Sequence, residues 1–156
     1  MLLIEKNKNR RIKGINMKKK IDILMATYNG EIYIKEQIDS IIKQTYTNWI
    51  LLVRDDDSND HTKKIRYDYA KKDSRIKIIE DSKGNLGFVK NFEELLKYST
   101  SDFLMFSDQD DVWEDDKLIV AVSKLQKLNS SRPNLYFSNL KMVDEKTFYE
   151  DPLRVL

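Results

Sequence analysis

From Lys20 onward short apolar runs alternate with helical periods, and nothing else in the chain constrains the fold as much. The run "IDILMA" (21–26) has β character, and the stretch behind it places Ile34, Ile38, Ile41 and Ile42 on one helical face. "WILLV" (49–53) is a second strand, followed by the cap-type residues Ser58, Asn59 and Asp60 and a helix burying Ile65 and Tyr69. "RIKII" (75–79) is a third. Past Gly84 and Gly87, Phe88, Phe92, Leu95 and Leu96 repeat the helical spacing, and "DFLMF" (102–106) is a fourth strand. Leu118, Ala121, Val122, Leu125 and Leu128 mark another helix, and "NLYFS" (134–138) closes the series. Strand and helix in such regular turn predict a doubly wound α/β domain: a mostly parallel, Rossmann-like sheet with helices on both faces.

The totals narrow the classes. A chain of 156 residues suits one domain with a real core. Lys and Arg number 28 against 26 Asp and Glu, so no general attraction to nucleic acid or anionic lipid is expected. The absence of cysteine removes disulfides, thiolate metal sites and cysteine nucleophiles, and suits a reducing cytosol. His61 alone cannot build a histidine metal cluster, and just inside a helix start it is expected at the surface, outside any site. No apolar run reaches the ~20 residues of a membrane span, and "MLLI" is too short for a signal peptide. A cytoplasmic protein is the expectation. Residues 1–16, with Lys6, Lys8, Arg10, Arg11 and Lys13, are expected to form a mobile basic arm, with contact to a partner chain or the inner membrane face as its functional alternative. Met17 is an alternative start, residues 17–145 are the expected domain, and 146–156 a C-terminal tail.

In open parallel sheets, ligands sit beyond the carboxyl ends of the strands. Here those ends carry Thr27-Tyr28-Asn29-Gly30, then Arg54-Asp55-Asp56-Asp57-Ser58, then Glu80-Asp81 leading to Gly84 and Gly87, and finally Ser107-Asp108-Gln109-Asp110-Asp111. Crowded carboxylates repel one another unless a cation or hydrogen-bond donors compensate them. For Asp108, Asp110 and Asp111 the expected counter-ion is Mg²⁺ or Mn²⁺, which bridges carboxylates to substrate phosphates. Helix capping is the bland alternative, and it suits Glu114, Asp115 and Asp116 better. Trp113 is expected to pack beneath this loop. Asp55 and Asp56 could accept hydrogen bonds from an imide N–H or a sugar hydroxyl, whereas turn chemistry explains Asp57 and Ser58. The Tyr28 ring could cover a flat base, and Lys90 could meet a phosphate, although "KGNLGFVKNF" is not a P-loop.

Taken together these stretches resemble the family 2 glycosyltransferases with the GT-A fold, over about residues 20 to 145. "ATYNG", "RDDDS", "GNLGFVKNF" and "FSDQDDVWEDDKL" carry the resemblance, the last two closest to rhamnosyltransferase-type members. The resemblance implies an inverting, metal-dependent transfer from a nucleotide-diphosphate sugar, a dTDP- or UDP-sugar such as dTDP-rhamnose, to a polysaccharide or lipid-linked glycan. It implies that Tyr28, flanked by Thr27 and Asn29, packs on the base, and that Asp56, beside Asp55, reads the base's imide N–H. Asp108-Gln109-Asp110 matches the DxD signature, with Asp108 toward the ribose or sugar and Asp110 on the metal. Lys90 and Asn91 fall where the family contacts donor. The family's general base lies farther downstream, so the expectation is a chain cut short before its base and acceptor elements, a donor-binding half or an inactive module. "LMFSDQDDV" also fits the nucleophile motif of haloacid-dehalogenase-like phosphatases, a rival that leaves "ATYNG" and "RDDDS" unexplained.

Overall fold

Alternate residues of the central strands serve two different cores. A computed structural model describes residues 2–5, 19–128 and 131–139. In β2 (Ile21–Thr27), Ile21, Ile23 and Met25 face one hydrophobic cluster while Leu24 faces the other. β3 (Trp49–Asp55) and β5 (Phe103–Ser107) divide likewise, Leu51, Val53, Phe103 and Met105 against Leu52 and Leu104. The first cluster is covered by α1 (Ile34–Ile42), α2 (Thr62–Lys72) and α4 (Lys117–Leu125), the second by α3 (Phe88–Tyr98) through Phe92 and Leu95. Burial on both faces explains why the strand sequences are continuously apolar. The sheet's order is β4 (Ile76–Ile79), β3, β2, β5, β1 (Leu2–Glu5), β6 (Leu135–Phe137), with β4, β3, β2 and β5 parallel. Among the described residues no helix is long and apolar enough to cross a membrane.

Three expectations change. Leu2–Glu5, expected in a mobile arm, instead pair antiparallel with both β5 and β6. A four-residue apolar run next to a basic stretch gives no periodicity from which pairing could be read. Residues 6–16 and the tail at 146–156 lie outside the described residues. Phe88 and Leu128, expected on buried helical faces, are exposed, Phe88 on the first turn of α3 and Leu128 beyond the end of α4. Trp113 does pack beneath its loop, 2% exposed within the first core.

A buried acid fastens the N-terminal end of β5. Asp22 is 1% exposed and accepts hydrogen bonds from the Ser99 and Ser101 hydroxyls and from the N–H groups of Thr100 and Ser101. Burial alone would raise its pKa, but the donors of Ser101 and Thr100, aided by Lys20, outweigh it and hold the carboxyl below its ordinary value. Asp22→Ala orphans these donors and is expected to cost about 2–3 kcal/mol in urea unfolding, whereas Ser99→Ala, which removes one donor, costs about 1 kcal/mol or less.

Candidate functional site

The carboxyl edge is assembled by hydrogen bonds that run between its loops as well as within them. The β2 loop is the middle piece. On one side, Asp56 N–H donates to the Thr27 carbonyl at 2.8 Å, Thr27 Oγ1 donates to Asp55 Oδ2 at 2.9 Å, and Asn29 N–H donates to Ser58 Oγ at 2.9 Å. On the other, Gln109 grips the main chain of Tyr28 at both ends: Tyr28 N–H donates to Oε1 and Nε2–H donates to the Tyr28 carbonyl, each at 2.9 Å. Asp56 and Asp110 thus flank a single loop whose Tyr28 ring is exposed.

The expected site residues separate into two groups. Tyr28, Lys90 and Asp110 are exposed and Asp108 is partly buried, so all four can meet a ligand. Thr27, Asn29, Asp55, Asp56 and Asn91 have side chains already bonded to protein. Asn29 sits at φ 47°, a left-handed conformation that asparagine tolerates, and its Oδ1 accepts from Asn59 N–H. The Asp55 carboxylate accepts from the hydroxyls of Thr27 and Ser58 and from Ser58 N–H, which makes it the acceptor of its own turn. Asp56, 3% exposed, accepts from Leu86 N–H and Gly87 N–H at 2.7 Å and from Arg54 at 2.9 Å. Asn91, expected on the donor, is 2% exposed and its Oδ1 accepts from Arg54.

Sequence reasoning set the group that organises this side at the strand end without giving it a role. Arg54 is 2% exposed, and all five of its N–H donors are used: on both Asp81 oxygens, on Asp56, on Asn91 and on the Gly84 carbonyl. The fork of hydrogen bonds to Asp81 raises the guanidinium pKa, and the same contacts hold Asp81 down at about 2. An arginine closing an apolar strand, next to acids, is a weak signal of such a knot.

The acidic loop is held from below by α1 and by Gln44 just past its end. Gln37, Ser40 and Gln44 form a buried polar stripe at helical spacing. Gln37 Nε2 donates to Ser107 Oγ at 2.7 Å, Ser40 Oγ accepts Trp113 N–H at 3.0 Å, and Gln44 donates to the Glu114 carbonyl while accepting Leu118 N–H. The cap expected of Glu114, Asp115 and Asp116 is therefore supplied by Gln44, since Asp116 makes no side-chain cap bond to α4. By contrast, the carboxylates of Asp108, Asp110 and Asp111 accept no hydrogen bond and form no ion pair among the described residues, although Lys117 attracts Asp111 at longer range. Burial, then Asp111 and Asp110, raise the Asp108 pKa.

That pattern fits a hard cation. Hydrogen-bonded capping acids would have donors, and these have none. Among the described residues no three acid or histidine side chains converge into a ready cage. An ion of the Mg²⁺ or Mn²⁺ type needs only one or two carboxylates when phosphate oxygens complete its shell. A groove of about 640 Å³ lies elsewhere, between α1 and α2, lined by Ile32, Lys35, Lys64 and Tyr69 among others, away from these acids.

The family model for "Glycosyl transferase family 2" matches residues 22–142. The chain belongs to that family. Among its relatives, the β-1,3-glucosyltransferase WfgD of Escherichia coli, named for UDP-Glc and α-D-GlcNAc-diphosphoundecaprenol, is 42% identical over 113 residues, 71% of this chain and 43% of that protein. The dTDP-rhamnosyl transferase RfbG of Shigella flexneri is 38% identical over 120 residues, covering 74% and 40%. S. aureus TarS, solved with UDP-GlcNAc, superposes with a TM-score of 0.63 at 29% identity over 69% of this chain and 31% of that one. A mannosyltransferase from Pyrobaculum calidifontis, at 24% identity and a TM-score of 0.64, shares the fold. The architecture is the GT-A fold. The chain spans about two fifths of the length of the curated relatives it matches.

Proposed function

We propose that this chain binds the donor in a glycosyltransferase reaction that moves a sugar from a nucleotide diphosphate to a hydroxyl of a polysaccharide or lipid-linked glycan. The observation that carries the reading is the three-loop edge, with an exposed Tyr28 ring between the Asp56 turn and the uncompensated acids Asp108 and Asp110. A base on Tyr28 and a diphosphate at the acids would use both ends of that edge at once. The donors named for relatives, UDP-Glc and a dTDP sugar, support a pyrimidine nucleotide, and dTDP-rhamnose is the donor this reading favours.

Asp110, with Asp108 beside it, would hold a divalent ion, which when bound supplies Lewis-acid stabilisation of the charge developing on the departing diphosphate. Tyr28 orients the base, and Lys90, exposed on the first turn of α3, adds a positive charge for a phosphate. Inversion would require a general base for the acceptor hydroxyl. No described residue is assigned that role.

Calorimetry with UDP and dTDP, with and without Mn²⁺, tests the reading. Metal-dependent nucleotide binding is the expected result. A chain that ignores both nucleotides yet cleaves phosphate esters would overturn it in favour of the dehalogenase-like phosphatases.

A further inference from the structure

Gln109, the middle residue of Asp108-Gln109-Asp110, has no part in the charge chemistry on either side of it, yet it is the best-anchored side chain of the acidic loop. Its amide meets Tyr28 N–H and the Tyr28 carbonyl at once, the two-point pattern one strand offers another. Both polar groups of the Tyr28 main chain are thereby committed to residue 109. Ser107, two residues before Gln109, is fixed in turn by Gln37 and by its own hydrogen bond to the Asp108 carbonyl.

Gly30 supplies an independent observation. A Cβ there would stand 2.3 Å from Gln109 Oε1 and 2.5 Å from its Cδ, closer than real atoms approach. This glycine does not have a positive φ, so its backbone conformation does not demand glycine. The space it leaves is the space the Gln109 amide fills.

We propose that Gln109 is a positioning residue that clasps the base platform to the metal-holding acids, so that nucleoside and diphosphate are read as one rigid unit. This rests on the donor-binding reading above. With the clasp closed, the Tyr28 ring stands at a fixed offset from Asp108 and Asp110, and the ordering that a nucleoside diphosphate would otherwise impose on two loops is already present in the fold. With it open, each half still binds its own fragment, but binding at one no longer prepares the other.

The test compares uridine, which engages only the base platform, with UDP plus Mn²⁺, which engages both halves. Gln109→Ala, and Gln109→Met as a variant that keeps the side chain's volume, are expected to bind uridine within about twofold of the wild type in NMR titration. Their affinity for UDP with Mn²⁺ is expected to fall about tenfold, on the order of one to two neutral hydrogen bonds. Gly30→Ala is expected to produce a similar fall by displacing the amide, and to add less than about twofold once Gln109 is already alanine. Equal losses for uridine and for UDP with Mn²⁺, or Gly30→Ala and Gln109→Ala losses that multiply, would overturn the clasp while leaving the donor reading intact. A wild-type chain whose UDP affinity is indifferent to Mn²⁺ would also overturn the clasp, and one that binds neither uridine nor UDP brings down the donor reading with it.

Discussion

Arg54→Met is expected to destabilise the domain by about 3–5 kcal/mol, the range for removing one partner of a buried ion pair. The guanidinium stabilises chiefly by what it neutralises. Asp56 and Asp81 are almost wholly enclosed, with side chains 4% and 11% exposed, and without Arg54 both carboxylates lose their buried cation. Asn91 Oδ1 and the Gly84 carbonyl lose donors as well. Lysine recovers only part of this, because one ammonium cannot reproduce a planar fork that reaches Asp81 twice and three other acceptors besides. Urea unfolding followed by circular dichroism measures the loss. Unfolding free energies within about 1 kcal/mol of wild type would show that the knot is incidental to the fold.

The same knot sets an acid limb. Asp81 falls from an ordinary 3.8 to about 2 through its hydrogen bonds to Arg54. A carboxyl whose folded pKa is depressed stabilises fully above its unfolded value, and that stabilisation is lost as pH drops through the folded one. Stability is therefore expected to decline between about pH 4 and pH 2. In Arg54→Met that contribution to the decline should be gone, because the hydrogen bonds that depress Asp81 are gone.

Why the strands and helices were legible while this knot was not follows from the range of the interactions. Ile34, Ile38 and Ile41 announce their helix because period and burial are local properties, and "WILLV" announces a strand buried on both faces for the same reason. The carboxyl edge followed from topology alone, and it does carry Tyr28, Asp108 and Asp110. Arg54, however, finds only Asp56 nearby and its other acceptors, Asp81, Gly84 and Asn91, 27 to 37 residues downstream, and Gln44 finds Glu114 and Leu118 seventy or more away. Nothing near Gln37, Ser40 or Gln44 in the sequence distinguishes a buried clamp from a solvated helical face. Asp55 was expected on the ligand because an acid at a strand end looks the same whether its oxygens face outward or inward, and Asn91, in α3, because the family resemblance places donor contacts there. Both are buried and bonded to protein groups.

The acids after β5 present the opposite case, in which removing a group helps the fold and harms the function. Asp108, Asp110 and Asp111 crowd together with no hydrogen-bond donor from the described residues and only Lys117 nearby to offset Asp111, and burial together with its neighbours' charge raises the Asp108 pKa. Asp108→Asn is therefore expected to leave the thermal midpoint unchanged or to raise it by about 2 °C in the absence of metal. Asp110→Ala, at an exposed position, should likewise leave it unchanged. Both substitutions should nevertheless remove the Mn²⁺-dependent part of UDP affinity. The loss is expected to be about 100-fold for Asp110→Ala, since outer-shell partners alone carry roughly 10–100-fold in metal affinity and a direct ligand carries at least as much. Calorimetry with and without Mn²⁺, run beside a thermal melt of the same samples, separates the two effects. Capping residues would behave the other way round: their loss would lower the melting temperature and spare the nucleotide. A destabilised Asp110→Ala that still binds UDP in a Mn²⁺-dependent manner would mean that these carboxylates serve the turn before α4 rather than a cation.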